Sequence, residues 1–169
     1  MSKWKQILIV ALVVLMPVKA RAQLMAVNTD AALLLTQTYN AGIELTVSQR
    51  STLGISVLGN YHPWVLKDMR LIALQPEWRY YFSGRPMMHH FFGVSLLAAN
   101  YNFDWKNENH HGDAAGAGLT FGYVLPLSER LNIDFHAGAG LVFYHEEGKG
   151  VGSMILPTKL GISLSYIIR

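Results

Sequence analysis

The 169-residue chain has no cysteine, which excludes a disulfide framework and a lipid-anchored N-terminus. Fourteen Lys and Arg side chains against eleven Asp and Glu give a formal net charge of +3. Four of those bases (Lys3, Lys5, Lys19 and Arg21) precede residue 23, and without them ten bases meet eleven acids, a net of −1. The basic balance that would raise nucleic acid as a partner belongs to the N-terminal segment, so no nucleic-acid partner is expected.

In chain order, the first 22 residues read as an export signal. Lys3 and Lys5 give a charged start, Ile7–Met16 an apolar run, and Ala20-Arg21-Ala22 a small-x-small cleavage site. The apolar run falls well short of the roughly 20 residues that a spanning helix needs. Residues 1–22 are therefore expected to be cleaved, leaving 23–169 as one domain. No later segment reaches about 18 consecutive apolar residues, so a membrane-spanning form of this chain has to be a barrel.

Alternating hydrophobicity then predicts strands at 26–35, 39–48, 51–61, 71–82, 90–103, 114–126, 131–145 and 154–168. Most reach the roughly 9–11 residues of a tilted bilayer-crossing strand, longer than the about 5–6 usual in globular proteins. In the second, Ile43, Leu45 and Val47 alternate with Gly42, Glu44, Thr46 and Ser48. The fourth sets Gln75, Glu77, Arg79 and Tyr81 against Pro76, Trp78, Tyr80 and Phe82. Pro76 lacks a ladder donor, which predicts a bulge or an unpaired partner carbonyl there. In the fifth, Asn100, Asn102 and Asp104 fall in phase with Phe92, Val94 and Leu96. Either a bulge near Ala98-Ala99 shifts the phase, or that end of the strand rises above the membrane. The sixth sets Leu119, Phe121 and Tyr123 against Gly118, Thr120 and Gly122, the seventh Ile133 and Phe135 against Asp134 and His136, and the eighth Leu160 and Ile162 against Lys159 and Gly161.

Glycine decides between a soluble sandwich and a barrel. It is depleted from ordinary strands, yet most of the fifteen glycines fall on the polar faces. A narrow barrel needs small residues inside, interleaved with a few long polar ones. Tight connections at 49–51 and 128–130 alternate with longer ones at 62–70, 104–113 and 146–153, as in barrels with short periplasmic turns and long outer loops. The expected fold is all-β: an eight-stranded antiparallel up-and-down transmembrane β-barrel in the outer membrane of a Gram-negative bacterium. Both termini are then periplasmic.

Such a barrel is just wide enough for side chains to fill. Asp30, Glu44, Glu77, Arg79, Asp134, His136 and Lys159 are expected to meet in it as a packed ionic plug, since buried charges must pair. Trp64, Trp78, Tyr80, Phe82, Tyr123 and Tyr166 suit interfacial aromatic belts against the membrane lipid. His110-His111 with Asp113, and His62 with Asp68, could in principle bind a metal, but flexible loops lack the fixed geometry, and no metal or cofactor is expected. Ser153 and His145 are the rim residues an acyl-transfer site would use, but no G-x-S-x-G spacing supports it and no enzyme is expected. A lipid-modifying enzyme and a lipocalin-like soluble binder of a small apolar ligand are the alternative readings.

Asn40-x-Gly42-Ile43-Glu44, Asn60-Tyr61-x-Pro63-Trp64, Gln75-Pro76-Glu77-x-Arg79-Tyr80 and Tyr101-Asn102 together resemble the DUF3575 family of Bacteroidetes, small outer-membrane barrels, over nearly all of 23–169. The resemblance implies an outer-membrane location and a frequent gene neighbourhood with fimbrial components, and no catalytic residues. On that basis a structural or anchoring role is expected, with surface or fimbrial assembly proteins met through the outer loops.

Overall fold

The computed structural model describes residues 24–61, 69–105, 108–146 and 150–168. The expected signal peptide, Trp64 and the His62/Asp68 pair lie outside the described residues. The strands are β1 (Met25–Asp30), β2 (Thr38–Thr46), β3 (Ser51–Tyr61), β4 (Arg70–Tyr81), β5 (His89–Trp105), β6 (Glu108–Pro126), β7 (Leu131–Glu146) and β8 (Gly150–Ile168), with a short helix α1 (Ala31–Leu35) after β1. All eight strands are antiparallel to their neighbours and run in chain order around a ring, closed by β8 pairing with β1. The turns at 47–50, 82–88 and 127–130 share one end of the ring, the terminus-bearing end, with the start of β1 and the end of β8.

The alternation seen in the sequence becomes an inside-out distribution. Ile43, Val94, Leu119, Phe121 and Leu141 point away from the ring and are exposed, while Glu44, Glu77, Arg79, Asp134 and His136 are buried within it. Among the described residues sixteen buried side chains are polar or charged and eight are apolar, the reverse of a soluble core. Six of the apolar ones form two small clusters at the end where β1 starts and β8 ends: Ala26, Met87 and Ile167, and Tyr81, Phe91 and Val124. Glycine permits the convergence, since a Cβ on Gly122 would overlap the Phe91 ring.

The expected loops at 104–113 and 146–153 are mostly strand, with only 106–107 between β5 and β6 and 147–149 between β7 and β8. One further local expectation is corrected, and two that offered a bulge as one of two alternatives lose the bulge. The first strand does not run to residue 35: it stops at Asp30, whose carboxylate caps α1 by accepting from Ala32 N at 2.8 Å and Leu33 N at 3.1 Å. Ala-Ala-Leu-Leu-Leu has no alternation and good helix propensity, so the cap decides its conformation. The Asn40 amide then clamps the corner, accepting from Asp30 N at 2.5 Å and donating to Asp30 O at 3.0 Å. In the fifth strand there is no bulge near Ala98-Ala99, because β5 and β6 keep one register from His89 opposite Val124 to Trp105 opposite Glu108. Around Pro76 the β4–β5 pairing skips Gln75 and Pro76 without a register shift.

The irregularity lies instead in β8. Gly138 faces Lys159 but Ala139 faces Pro157, so Thr158 is an extra residue. The shift exchanges the faces of β8 above that point, turning Met154 and Leu156 to the side of their partners Val142 and Gly140. Gln75 Nε2, from β4 across the ring, donates to the Thr158 carbonyl at 3.0 Å and so ties down the bulge.

Candidate functional site

The densest chemistry in the molecule is the set of charged side chains that strand phase directs into the lower lumen. Arg79, from β4, is central. Its Nε lies 2.7 Å from Glu77 Oε2, and its Nη1 lies 2.7 Å from Asp134 Oδ2 on β7 and 3.3 Å from Glu44 Oε2 on β2. These bonds span the lumen, since β2, β4 and β7 are not neighbours in the ring. Lys159 Nζ, from β8, reaches the same Glu77 oxygen at 2.6 Å. His136 bridges two carboxylates, with Nε2 3.0 Å from Asp30 Oδ2 and Nδ1 3.5 Å from Asp134 Oδ1. All seven residues of the interior set thus form one connected cluster. The same Asp30 that caps α1 anchors its far end.

Several members fall outside the set chosen from charge alone. Tyr81 donates to Glu44 Oε1 at 2.7 Å, and Thr52 donates to the same oxygen at 2.5 Å. Phe91 lies beneath the guanidinium, with Arg79 Cζ 4.4 Å from its ring centroid. Tyr81 and Phe91 are themselves in contact, at 5.5 Å between centroids. Tyr81 shares its strand phase with Glu77 and Arg79, which was available as a signal; Thr52 and Phe91 carried none beyond facing inward. With its partners this close, Arg79 has little freedom to move. The arrangement presents packed, paired charge, within which Glu77 Oε1, Asp134 Oδ1 and His136 Nδ1 are buried without a hydrogen-bond partner.

A family model described as "Protein of unknown function (DUF3575)" matches residues 7–168. The chain belongs to the DUF3575 family. Among solved structures it is similar to the N-terminal β-barrel domain of Pseudomonas aeruginosa OprF, at 16% identity and a TM-score of 0.45, over 86% of this chain and 96% of that one. No curated protein matches it.

In this DUF3575 chain the outer face carries a second set of aromatic side chains. Trp78, Tyr80 and Phe82 follow one another toward the terminus-bearing end, with centroids 6.3 and 5.7 Å apart, and Arg50 Nη1 donates to the Tyr80 hydroxyl at 3.3 Å. Tyr123 packs edge-on against His90 at 4.7 Å, and Tyr166 stands opposite Val27 and Leu131 at the same end. At the opposite rim His110 stacks on Phe103 at 5.0 Å and its Nδ1 lies 2.6 Å from Glu146 Oε1. Asn100 donates to Asp113 at 2.9 Å on the outer face. His145 and Ser153 stand on that outer face too, opposite Val151 and Phe143. Among the described residues no group of three His, Cys, Asp or Glu side chains is arranged to hold a metal ion.

Proposed function

We propose that the protein is an outer-membrane β-barrel whose lower lumen is plugged by the Arg79 cluster, and that it serves without enzymatic activity as an anchor or assembly partner for surface components. The observation that carries this reading is the inverted distribution of polarity, with aliphatic side chains exposed around the ring and charge buried inside. Soluble monomers rarely expose apolar patches beyond a few hundred Å², whereas a bilayer requires such a surface and a closed hydrogen-bonded ring. The aromatic side chains at the terminus-bearing end suit an interfacial girdle. An even strand number puts both termini on one side, the periplasmic one in this reading, and leaves the tips of the long β5–β6 and β7–β8 hairpins, with the β3–β4 connection, outside for partners. Fimbrial proteins are the partners that the family resemblance favours.

Refolding tests the membrane reading. Residues 23–169 are expected to form sheet only with detergent micelles or lipid vesicles and to fractionate with the outer membrane; a stable monomer in plain buffer overturns it. In planar bilayers the plug predicts no steady conductance, and wild-type channels of constant amplitude overturn the plug. Cross-linking in intact cells from residues 104–113 and 146–153, at the tips of the β5–β6 and β7–β8 hairpins, identifies what binds there, and failure to recover any surface protein removes the assembly role.

A further inference from the structure

Above the Arg79 cluster the lumen changes character. Leu71, Leu97, Ala99, Val142 and Leu156 line two adjoining cavities of about 370 and about 490 Å³. Ligand sites usually span about 300–1,000 Å³ and are lined mainly by apolar groups. The lower cavity is floored by Arg79, His136 and Lys159, and the upper one rises to Tyr101, Phe103 and Tyr144. Small residues create the space: Ala73, Ala99, Ala114, Gly116 and Gly140 face inward where longer side chains would fill the ring. The β8 bulge contributes by turning Met154 and Leu156 toward this space.

The wall beside this cup is incomplete. β8 pairs with β1 only from Ser163 to Ile168, so among the described residues Gly150–Ile162 has a partner strand on the β7 side alone. The outer residues flanking the gap, Leu35, Tyr39, Val151, Ile155 and Leu160, are 71–78% exposed, against 40–61% for Val94, Leu119, Phe121 and Ile72 on the closed wall. Helix α1 lies in this gap against both β2 and β8, and its Leu33 lines the lower cavity together with Pro157 and the outward-facing Leu160, so the cavity reaches the outer surface beside the helix. Proline suits an edge that has lost one partner.

The depth of the notch follows from the length of β1. Its six residues at about 3.3 Å each cover roughly 20 Å along the strand. At a tilt of about 40° that is roughly 15 Å of height, below the apolar band of about 25 Å of an outer-membrane barrel. The wall therefore ends inside the bilayer. Unpaired backbone facing hydrocarbon is costly unless it meets a polar partner. We propose that the notch admits one acyl chain of an outer-leaflet amphiphile into the apolar cup, with its ester or amide linkage against the free edge of β8. A single chain fits because an eight-stranded ring leaves only the narrow space opened by alanine and glycine.

This inference rests on the membrane reading above, and one experiment separates the two. The protein is refolded into phosphatidylcholine vesicles containing a phospholipid with a diazirine in its acyl chain, irradiated, and mapped by mass spectrometry. Adducts on Leu119 and Phe121 mark insertion; their absence overturns both readings. Adducts on Leu97, Val142 or Leu156 as well are the expected result, and they are lost in Ala99→Phe while the outer-wall adducts remain. Outer-wall adducts alone overturn the acyl-chain site and leave the membrane reading standing. Interior adducts obtained only with a diazirine fatty acid added from water overturn lateral entry. Retention of interior adducts in Ala99→Phe overturns the cup as their location, and Ala73→Leu gives the same readout if Ala99→Phe does not insert.

Discussion

Around Arg79 the lumen is filled to contact, with cross-ring bonds of 2.6–3.3 Å to Glu44, Asp134 and, through Lys159, Glu77, whereas higher on the same strands Ala73, Ala99 and Gly140 leave cavities of several hundred Å³. The same alternation directs both sets of side chains inward, so the difference lies in side-chain length and charge alone. Charge buried in a narrow ring has to be paired, and pairing fixes β2, β4, β7 and β8 relative to one another. Alanine and glycine make no such demand. Below, the ring is pinned shut; above, it is free to be hollow and, beside β8, free to be open.

The largest effect that would break this contrast is removal of the common cation. Arg79→Met leaves Glu44 and Asp134 buried without their shared partner, and breaking a buried pair costs about 3–5 kcal/mol. Urea titration in lipid vesicles is expected to show a loss of that size; a loss below about 1 kcal/mol, typical of an exposed pair, would mean that water rather than Arg79 neutralises the carboxylates. Overfilling the lower half comes next. Gly122→Leu would drive a side chain into the Phe91 ring and the Phe135 carbonyl, at a cost of about 1–3 kcal/mol by the same titration. Thr52→Val is smaller. It deletes one of two hydroxyl donors to Glu44 Oε1 and is expected to cost about 1 kcal/mol, with Tyr81 holding the other bond.

Much of the architecture was legible because a strand repeats every two residues: Glu77 and Arg79, or Asp134 and His136, cannot share a strand in phase without sharing a face. The alternation does not say which side chains meet across the ring. That depends on register, and register rests on hairpin geometry and pairing that one strand's sequence does not contain. The contact from Arg79 to Asp134, 55 residues away, is of this kind. Helix α1 went unread because Ala31–Leu35 extends an apolar run with no polar marker of its own; Asp30 just before it was the cap signal, and it was read only as an interior charge. The bulge at Thr158 had a weaker sign in Pro157. Missing it hid the turn of Met154 and Leu156 into the lumen, and with it the apolar character of the upper half.

The smallest effect sharpens the comparison most, because it asks one kind of substitution to behave oppositely in the two halves. Ala99→Leu adds three carbons at a cup-lining position, as Gly122→Leu adds a larger group in the plug. Filling an existing void removes apolar surface from solvent at about 25 cal/mol per Å², and the gain is partly offset by lost rotamer freedom of about 0.5–1 kcal/mol for leucine. The expected change is therefore within about 0.5 kcal/mol of wild type, in the same urea titration in which Gly122→Leu is clearly destabilised. If Ala99→Leu costs as much as Gly122→Leu, the upper lumen has no spare volume, and the division of the ring into a pinned half and a hollow half fails. If it is neutral, the cup is true empty space whose size is set by small side chains, and its walls are held apart by the pinned half beneath it.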